Sequence, residues 1–400
     1  SKRMDAPSGN SPRLNANACP RVSRGRNTPP IPPVRAGEDS LFRFIPFSGI
    51  ILRMDKTALI QSIEGQRAGS RVIAYVTSDR PGPVGARVAP DVIPLFSKQL
   101  QQMTTGGVKV PKIDLFLYSG GGDTMVPWRL VSMIREHCNQ FSVLVPYKAH
   151  SAATMIALGA DEIVMSDLSE ISPIDPSTAN VFNPPDPANP QGRIPISVED
   201  FISYFDLAKN KFGIKSDEDL TKIFIQFVEA NPEVHPLALG NVNRIHNLIR
   251  LIAKRLLKSH NKPMKEDEIE KIVEYFTEKL YSHQYFIGRR EAREELGVKS
   301  VVDAPLPLAK AMDELYEAYR DEIGLGIGVW NPELELGANT SQIQKSYPVA
   351  IIESKKLVHR FEVSIEFKRQ QVMMQQQTAA GPMQIPQEQV GFRILEQGWK

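Results

Sequence analysis

Two strand-to-helix turns carry the residue types that could do chemistry. The first is Tyr118-Ser119-Gly120-Gly121-Gly122-Asp123, between an apolar run at 113–118 and a helical pattern at 124–137. Three glycines permit positive φ and the close approach of another group, while N–H groups face outward at a helix start. Such a turn can hold a phosphate or an oxyanion, or it can be a plain tight turn. It is not a Walker loop, because no Gly-Lys-Ser/Thr follows, and it lacks the dinucleotide-binding spacing. The second turn is Pro146-Tyr147-Lys148-Ala149-His150-Ser151-Ala152-Ala153-Thr154. Ser151 falls near a helix N-terminus, where the N–H of Ala152 and the helix dipole favour negative charge. Two roles are open to it, nucleophile or N-cap. The G-x-S-x-G motif of a nucleophile elbow is absent. Lys148 and His150 beside it read as ordinary surface residues. In a parallel sheet both turns lie at the carboxyl ends of neighbouring strands, where ligands bind.

The elements around these turns alternate. Arg71–Val76, Ile113–Tyr118, Phe141–Tyr147 and Glu162–Met165 are β-branched or aromatic apolar runs. Helical patterns lie between them at Pro90–Met103, Thr124–His137 and Ser151–Ala160. This texture predicts βαβ units on a buried, mostly parallel α/β sheet. Residues 1–40 read as a disordered, basic, Pro-rich tail: the first 37 hold seven prolines, seven Lys/Arg and one acid, Asp5. The main domain is expected at 41–322, with a Pro-rich insert at 176–200 and a helical region at 201–280. Helices are expected there at Val198–Phe212, Asp217–Ala230, Leu237–Ser259 and Glu266–Leu280. A short strand at Ser300–Ala304 and a helix ending near Tyr319 follow. Residues 323–400 form a Gly/Gln-rich extension with strands at Val349–Ile352 and Phe361–Phe367. Eight glutamines between 370 and 389 point to disorder or an interaction tail.

At this point the ordered motifs resemble a known family. Ser119-Gly120-Gly121-Gly122, Ala149-His150-Ser151-Ala152-Ala153, Gly159-Ala160-Asp161-Glu162-Ile163-Val164-Met165 and Pro173-Ile174-Asp175-Pro176 look like the Clp/crotonase superfamily. Within it they are most similar to the serine dehydrogenase proteinase family, relatives of signal peptide peptidase A. Ser282-His283-Gln284-Tyr285-Phe286-Ile287, with Glu291-Ala292 and Leu296-Gly297, resembles that family's last core element. The resemblance spans about residues 45 to 320. It implies a spiral of ββα units, a homo-oligomer and serine peptidase chemistry. By position, Ser151 matches the nucleophile and the N–H groups of Gly121 and Ala152 match the oxyanion hole, with Gly120 and Gly122 shaping the turn.

The general base departs from the family pattern. In the Clp peptidases the catalytic His lies at about the place where this chain has Ile174-Asp175, and the acid at the place of His283-Gln284, whereas signal peptide peptidases use a Lys tens of residues after the Ser. An exchange of roles, with His283 as base and Asp175 orienting it, is physically allowed, because geometry and not chain order defines a triad. Lys209 and Lys211 are alternatives, with Lys148 and His235 behind them; a Lys base needs burial to lower its pKa. His235 otherwise reads as a capping residue before a helix. His137, His246 and His260 read as surface or packing residues.

Composition narrows the function classes. The chain has 400 residues and a formal charge of +2, from 48 Lys+Arg against 46 Asp+Glu, which argues against a dedicated nucleic-acid binder. Two cysteines, Cys19 and Cys138, cannot build a disulfide framework or a cysteine zinc site, and a cytoplasmic setting fits them. No metal-binding motif or nucleotide fingerprint is present, so no metal or cofactor is expected. No apolar stretch reaches the length of a transmembrane helix; membrane association is expected only through an N-terminal anchor upstream of Ser1. The leading expectation is a serine endopeptidase acting on peptide or protein substrates. The alternatives are a non-catalytic oligomeric scaffold and a crotonase-type enzyme acting on acyl-CoA.

Overall fold

A computed structural model describes residues 55–400, apart from 105, 175–176, 179, 187–188, 232, 281, 283–284 and 379–380. The basic tail expected at 1–40 therefore lies outside the described residues.

The centre is an eight-stranded sheet in the order β12 (Val301–Asp303), β5 (Glu162–Met165), β3 (Cys138–Val145), β2 (Val110–Tyr118), β1 (Ser70–Thr77), β13 (Gln342–Ser354), β14 (Val358–Thr378), β15 (Gly381–Trp399). Its parallel half comprises β1, β2, β3, β5 and β12. Those strands are nearly continuous apolar runs because helices cover both faces. One face buries Ile73, Leu115, Val143 and Ile163 against α2 (Val92–Met103), α3 (Val126–His137) and α4 (Ala152–Leu158). The other buries Val72, Phe116, Leu144 and Val164 against α1 (Lys56–Gln66) and α10 (Leu306–Ile323). Helix α1 went unseen in the sequence: its apolar residues are few, but Asp55 caps it by accepting from the Thr57 N–H at 2.9 Å, and Leu59, Ile60 and Ile63 are buried.

A second, three-stranded sheet sits at the carboxyl ends of the main strands. It consists of β4 (Lys148–Ala149), β6 (Glu170–Ile171) and β11 (Ile287–Gly288), in the order β11-β6-β4. Strand β4 is parallel to β6, and β11 is antiparallel to it. Between β6 and β11 the Pro-rich insert forms only short strands, β7 (Ser177–Thr178), β8 (Pro185–Asp186), β9 (Asn189–Arg193) and β10 (Ile196–Ser197). The helical region follows as expected: α5 (Val198–Asp206), α6 (Asp217–Ala230), α7 (Pro236–Lys258) and α8 (Glu266–Glu274), then α9 (Arg289–Glu294). Helices α5 and α8 each run into a π-helical turn, at Leu207–Lys211 and Tyr275–Lys279. No helix among the described residues is long and apolar enough to cross a membrane.

The C-terminal extension is not a disordered tail among its described residues. After α11 (Pro332–Leu336), β13 (Gln342–Ser354) pairs antiparallel with β1, and β14 (Val358–Thr378) and β15 (Gly381–Trp399) extend the sheet as a long hairpin. Val363, Ile365 and Phe367 alternate into a small core with Val84, Val349 and Val390. Beyond them the glutamine-rich part is held by the backbone ladder, which requires no apolar side chain. Pro386 is tolerated because β15 is an edge strand.

This division predicts unequal effects of truncation. Replacing 372–387 by Asn-Gly, a two-residue hairpin turn, should shift Tm by no more than a few degrees. Deleting 342–400 strips β13 from β1 and should abolish cooperative thermal unfolding, as read by circular dichroism.

Candidate active site

The glycine turn and the serine turn are bonded directly to each other. Ser119, the first residue after β2, bridges to Ala149: its N–H donates to the Lys148 carbonyl at 3.0 Å, and its carbonyl accepts from the His150 N–H at 3.0 Å. On the turn's other side, Val88 donates to the Gly121 carbonyl and accepts from the Asp123 N–H, both at 2.8 Å. The fit leaves no room for side chains. A Cβ on Gly122 (φ +155°) would lie 2.2 Å from the Val88 carbonyl oxygen, and one on Gly121 (φ +100°) would lie 2.7 Å from the Ser151 Cβ. Gly120 faces open space.

Ser151 has φ 50° and ψ −114°, and it is the one non-glycine residue with positive φ among the described residues. Holding a β-substituted residue there costs about 1–3 kcal/mol. Its hydroxyl makes no cap bond to α4, so the N-cap role is not the one it plays. Its N–H instead donates to the Ser172 Oγ at 2.8 Å. Ala152, the first residue of α4, has no intrahelical acceptor for its N–H.

The Gly121 N–H is already engaged, donating to the Ser119 Oγ at 3.1 Å, and that oxygen also accepts from the Thr77 hydroxyl at 2.8 Å. All described peptides are trans, so the N–H that follows a carbonyl points the opposite way. The Gly121 carbonyl aims at Val88, and the Gly122 N–H therefore aims away from Val88. The turn lies between Val88 and the β4–Ser151 segment, so that direction is toward Ser151. Gly121 is the residue that shapes the turn; Gly122 presents the free donor.

The candidate bases fall in different places. Asp175 and His283 lie outside the described residues. The segments that carry them are tied together nearby: Ile171 pairs with Ile287, and the Ile174 N–H donates to the Phe276 carbonyl at 2.9 Å. Lys209 and Lys211 sit exposed in the π-helical turn, without the burial a Lys base requires. Lys148 is committed to Asp79, with Nζ 3.3 Å from Oδ2, and lies 4.8 Å from the Tyr147 ring centroid. Burial pushes the Asp79 carboxyl up, but the Tyr118 hydroxyl and Lys148 more than offset it and hold the group below its ordinary range. His235 caps α7: its Nδ1 accepts from the Leu237 N–H at 3.1 Å, and its ring stacks on Phe182 at 5.1 Å. His137, His246 and His260 contact the Met133 carbonyl, Glu278 and the Leu158 carbonyl respectively, as packing residues do.

Sequence reasoning passed over one pair. The Nε2 of His150, the residue before Ser151, lies 3.0 Å from the Glu170 Oε1. Burial pushes the Glu170 carboxyl up, and Lys148 only partly opposes this. The signal for the pair is the parallel register of β4 with β6, which a linear reading does not supply.

Comparison with known proteins shows what this region is similar to. Residues 51–187 match the model of the ClpP-like SDH-type serine proteinases. The matched segment contains both turns, Ser151 and the bridge that joins them. Two curated relatives come from Methanocaldococcus jannaschii (strain ATCC 43067 / DSM 2661 / JAL-1 / JCM 10045 / NBRC 100440), and both are uncharacterized proteins. One is 23% identical over 266 residues, 66% of this chain and 80% of the relative. The other is 28% identical over 124 residues, 31% of this chain and 42% of the relative.

Alanine substitution should sort the three glycines of the turn. Gly120→Ala should leave serine reactivity toward a fluorophosphonate within about twofold of wild type. Gly121→Ala and Gly122→Ala should lose it by at least about a hundredfold, because the first collides with Ser151 and the second with the Val88 backbone.

Proposed function

We propose that this protein is a serine peptidase in which Ser151 is the nucleophile. The observation that carries the reading is the strained, uncapped Ser151 at the start of α4, packed against the glycine turn. Ser151 Oγ adds to the carbonyl carbon of a peptide bond as a base removes its proton. The carbonyl oxygen becomes an oxyanion held by the N–H groups of Gly122 and Ala152, in place of the Gly121 and Ala152 pair expected from position. The protonated base then gives its proton to the departing amine, and water activated by the same base releases the acyl group from Ser151. No cofactor enters these steps.

The base is assigned to His283, with Asp175 orienting it. The antiparallel pairing of Ile171 with Ile287 supports this, because it ties together the two segments that carry these residues. A second arrangement has a specific observation in its favour: His150, paired with Glu170 beside the nucleophile, takes the proton instead. The alternation of main-sheet and second-sheet strands, β3–β4 and β5–β6, supports a spiral of ββα units, and a homo-oligomer is part of the same reading.

Reactivity toward a fluorophosphonate probe, located by intact mass and peptide mapping, tests the assignment. Wild type should label once, and Ser151→Ala should not label. His283→Ala should slow labelling by about 10²–10⁴-fold, the usual contribution of a general base; His150→Ala should slow it severalfold. The opposite order of the two His variants would move the base to His150. A folded wild type that never labels would overturn the peptidase reading in favour of a scaffold or an acyl-CoA enzyme.

A further inference from the structure

Ser151 holds a backbone conformation that its own side chain disfavours, so something outside the turn must hold it there. The contacts that do so converge on Ser172. The Ser172 Oγ accepts from the Ser151 N–H at 2.8 Å and donates to the Pro173 carbonyl at 2.9 Å. Its N–H donates to the Thr154 Oγ1 at 3.0 Å, and the Thr154 hydroxyl donates to the Ala149 carbonyl at 2.6 Å. Ser172 is 2% exposed and Thr154 is fully buried. These bonds close a loop around the elbow, from Ala149 before the nucleophile to Thr154 after it, through Ser172 on the neighbouring segment.

We propose that Ser172 is a positioning residue for the nucleophile, and that it couples the Ser151 backbone to the Pro173–Ile174 segment on the path to Asp175. The inference rests on the peptidase reading, and its chemistry is specific. The single proton of the Ser172 hydroxyl is given to the Pro173 carbonyl, so an oxygen lone pair is left to fix the Ser151 N–H. The hydroxyl is therefore committed on both sides and does not act as an acid or base. A side chain without an acceptor leaves a half-buried N–H unpaired at a strained residue, and the turn can then relax toward an ordinary helix start. That relaxation would swing Oγ away from the line between the base and the Gly122 and Ala152 donors. Misplacement of a reacting atom by about 1 Å costs on the order of a hundredfold in rate.

Ser172 and Thr154 are joined by a hydrogen bond, which makes a conservative series informative. The experiment uses the full chain with Ser172→Ala, Ser172→Thr and Thr154→Val, measuring the fluorophosphonate rate constant and Tm. For a cleavable fluorogenic peptide or ester, kcat and KM are measured separately. Ser172→Ala should lower the labelling rate and kcat by roughly ten- to a hundredfold with KM within about threefold and a fold that still melts cooperatively. Ser172→Thr, which keeps the hydroxyl, should restore at least a third of the wild-type rate. Thr154→Val should give an intermediate loss, because Thr154 makes no bond to Ser151 itself and acts on it through Ser172 and the Ala149 carbonyl. A Ser172→Ala protein that labels at the wild-type rate, while wild type labels at Ser151, overturns the positioning role and leaves the peptidase reading standing. A loss in kcat matched by an equal loss in Ser172→Thr, or by a collapse of Tm, would make Ser172 a packing residue and overturn it too. Wild type that does not label at all refutes the peptidase reading itself, a separate outcome.

Discussion

Two hydrogen bonds between Ser119 and the Lys148–His150 segment hold the glycine turn and Ser151 in one frame. Each turn alone is a common piece of α/β structure, a tight turn or the start of a helix. The bridge gives them a shared register, so that Gly121 meets the Ser151 Cβ and the neighbouring peptide presents its N–H on the same side. That register follows from the parallel pairing of β2 with β3, whose side chains are buried on both faces. A shift of either strand by one residue would exchange every buried side chain between the two layers, so packing fixes the site geometry.

The same frame explains why the turns contain so little side chain. Val88 on one side and Ser151 on the other leave Gly121 and Gly122 no space for a Cβ. The buried Ser119 Oγ then takes up the Gly121 N–H inside the turn, and it also accepts from the buried Thr77 hydroxyl. The donor left over is the one on the next peptide. On the opposite flank, Asp79 holds Lys148 and Tyr118, and Gly326 lies at the edge of the same group. This spends Lys148 on the support of β4 and removes it from the chemistry.

Much of this was legible in the residues. The apolar runs at 71–76, 113–118 and 162–165 became strands of the parallel sheet, and Glu162–Met165 and Asp217–Ala230 match their elements to the residue. The serine and glycine turns were readable because their small residues interrupt strong strand-to-helix patterns. Three things were not readable, each for a physical reason. The Gly121 and Gly122 roles depend on which way one peptide plane faces, and two adjacent glycines look alike in a sequence. The His150–Glu170 and Ser151–Ser172 contacts depend on the register of β4 with β6, two residues long each. The glutamine-rich hairpin reads as tail because its stability comes from the backbone ladder and from β13, which the local composition does not encode.

The most direct measurement is a crystal structure of the protein with Ser151 phosphonylated by a small fluorophosphonate. The account predicts one phosphoryl oxygen within about 3.1 Å of both the Gly122 and the Ala152 nitrogen, with the Gly121 N–H still on the Ser119 Oγ. A phosphoryl oxygen bound by the Gly121 N–H, or facing solvent away from both donors, would contradict it.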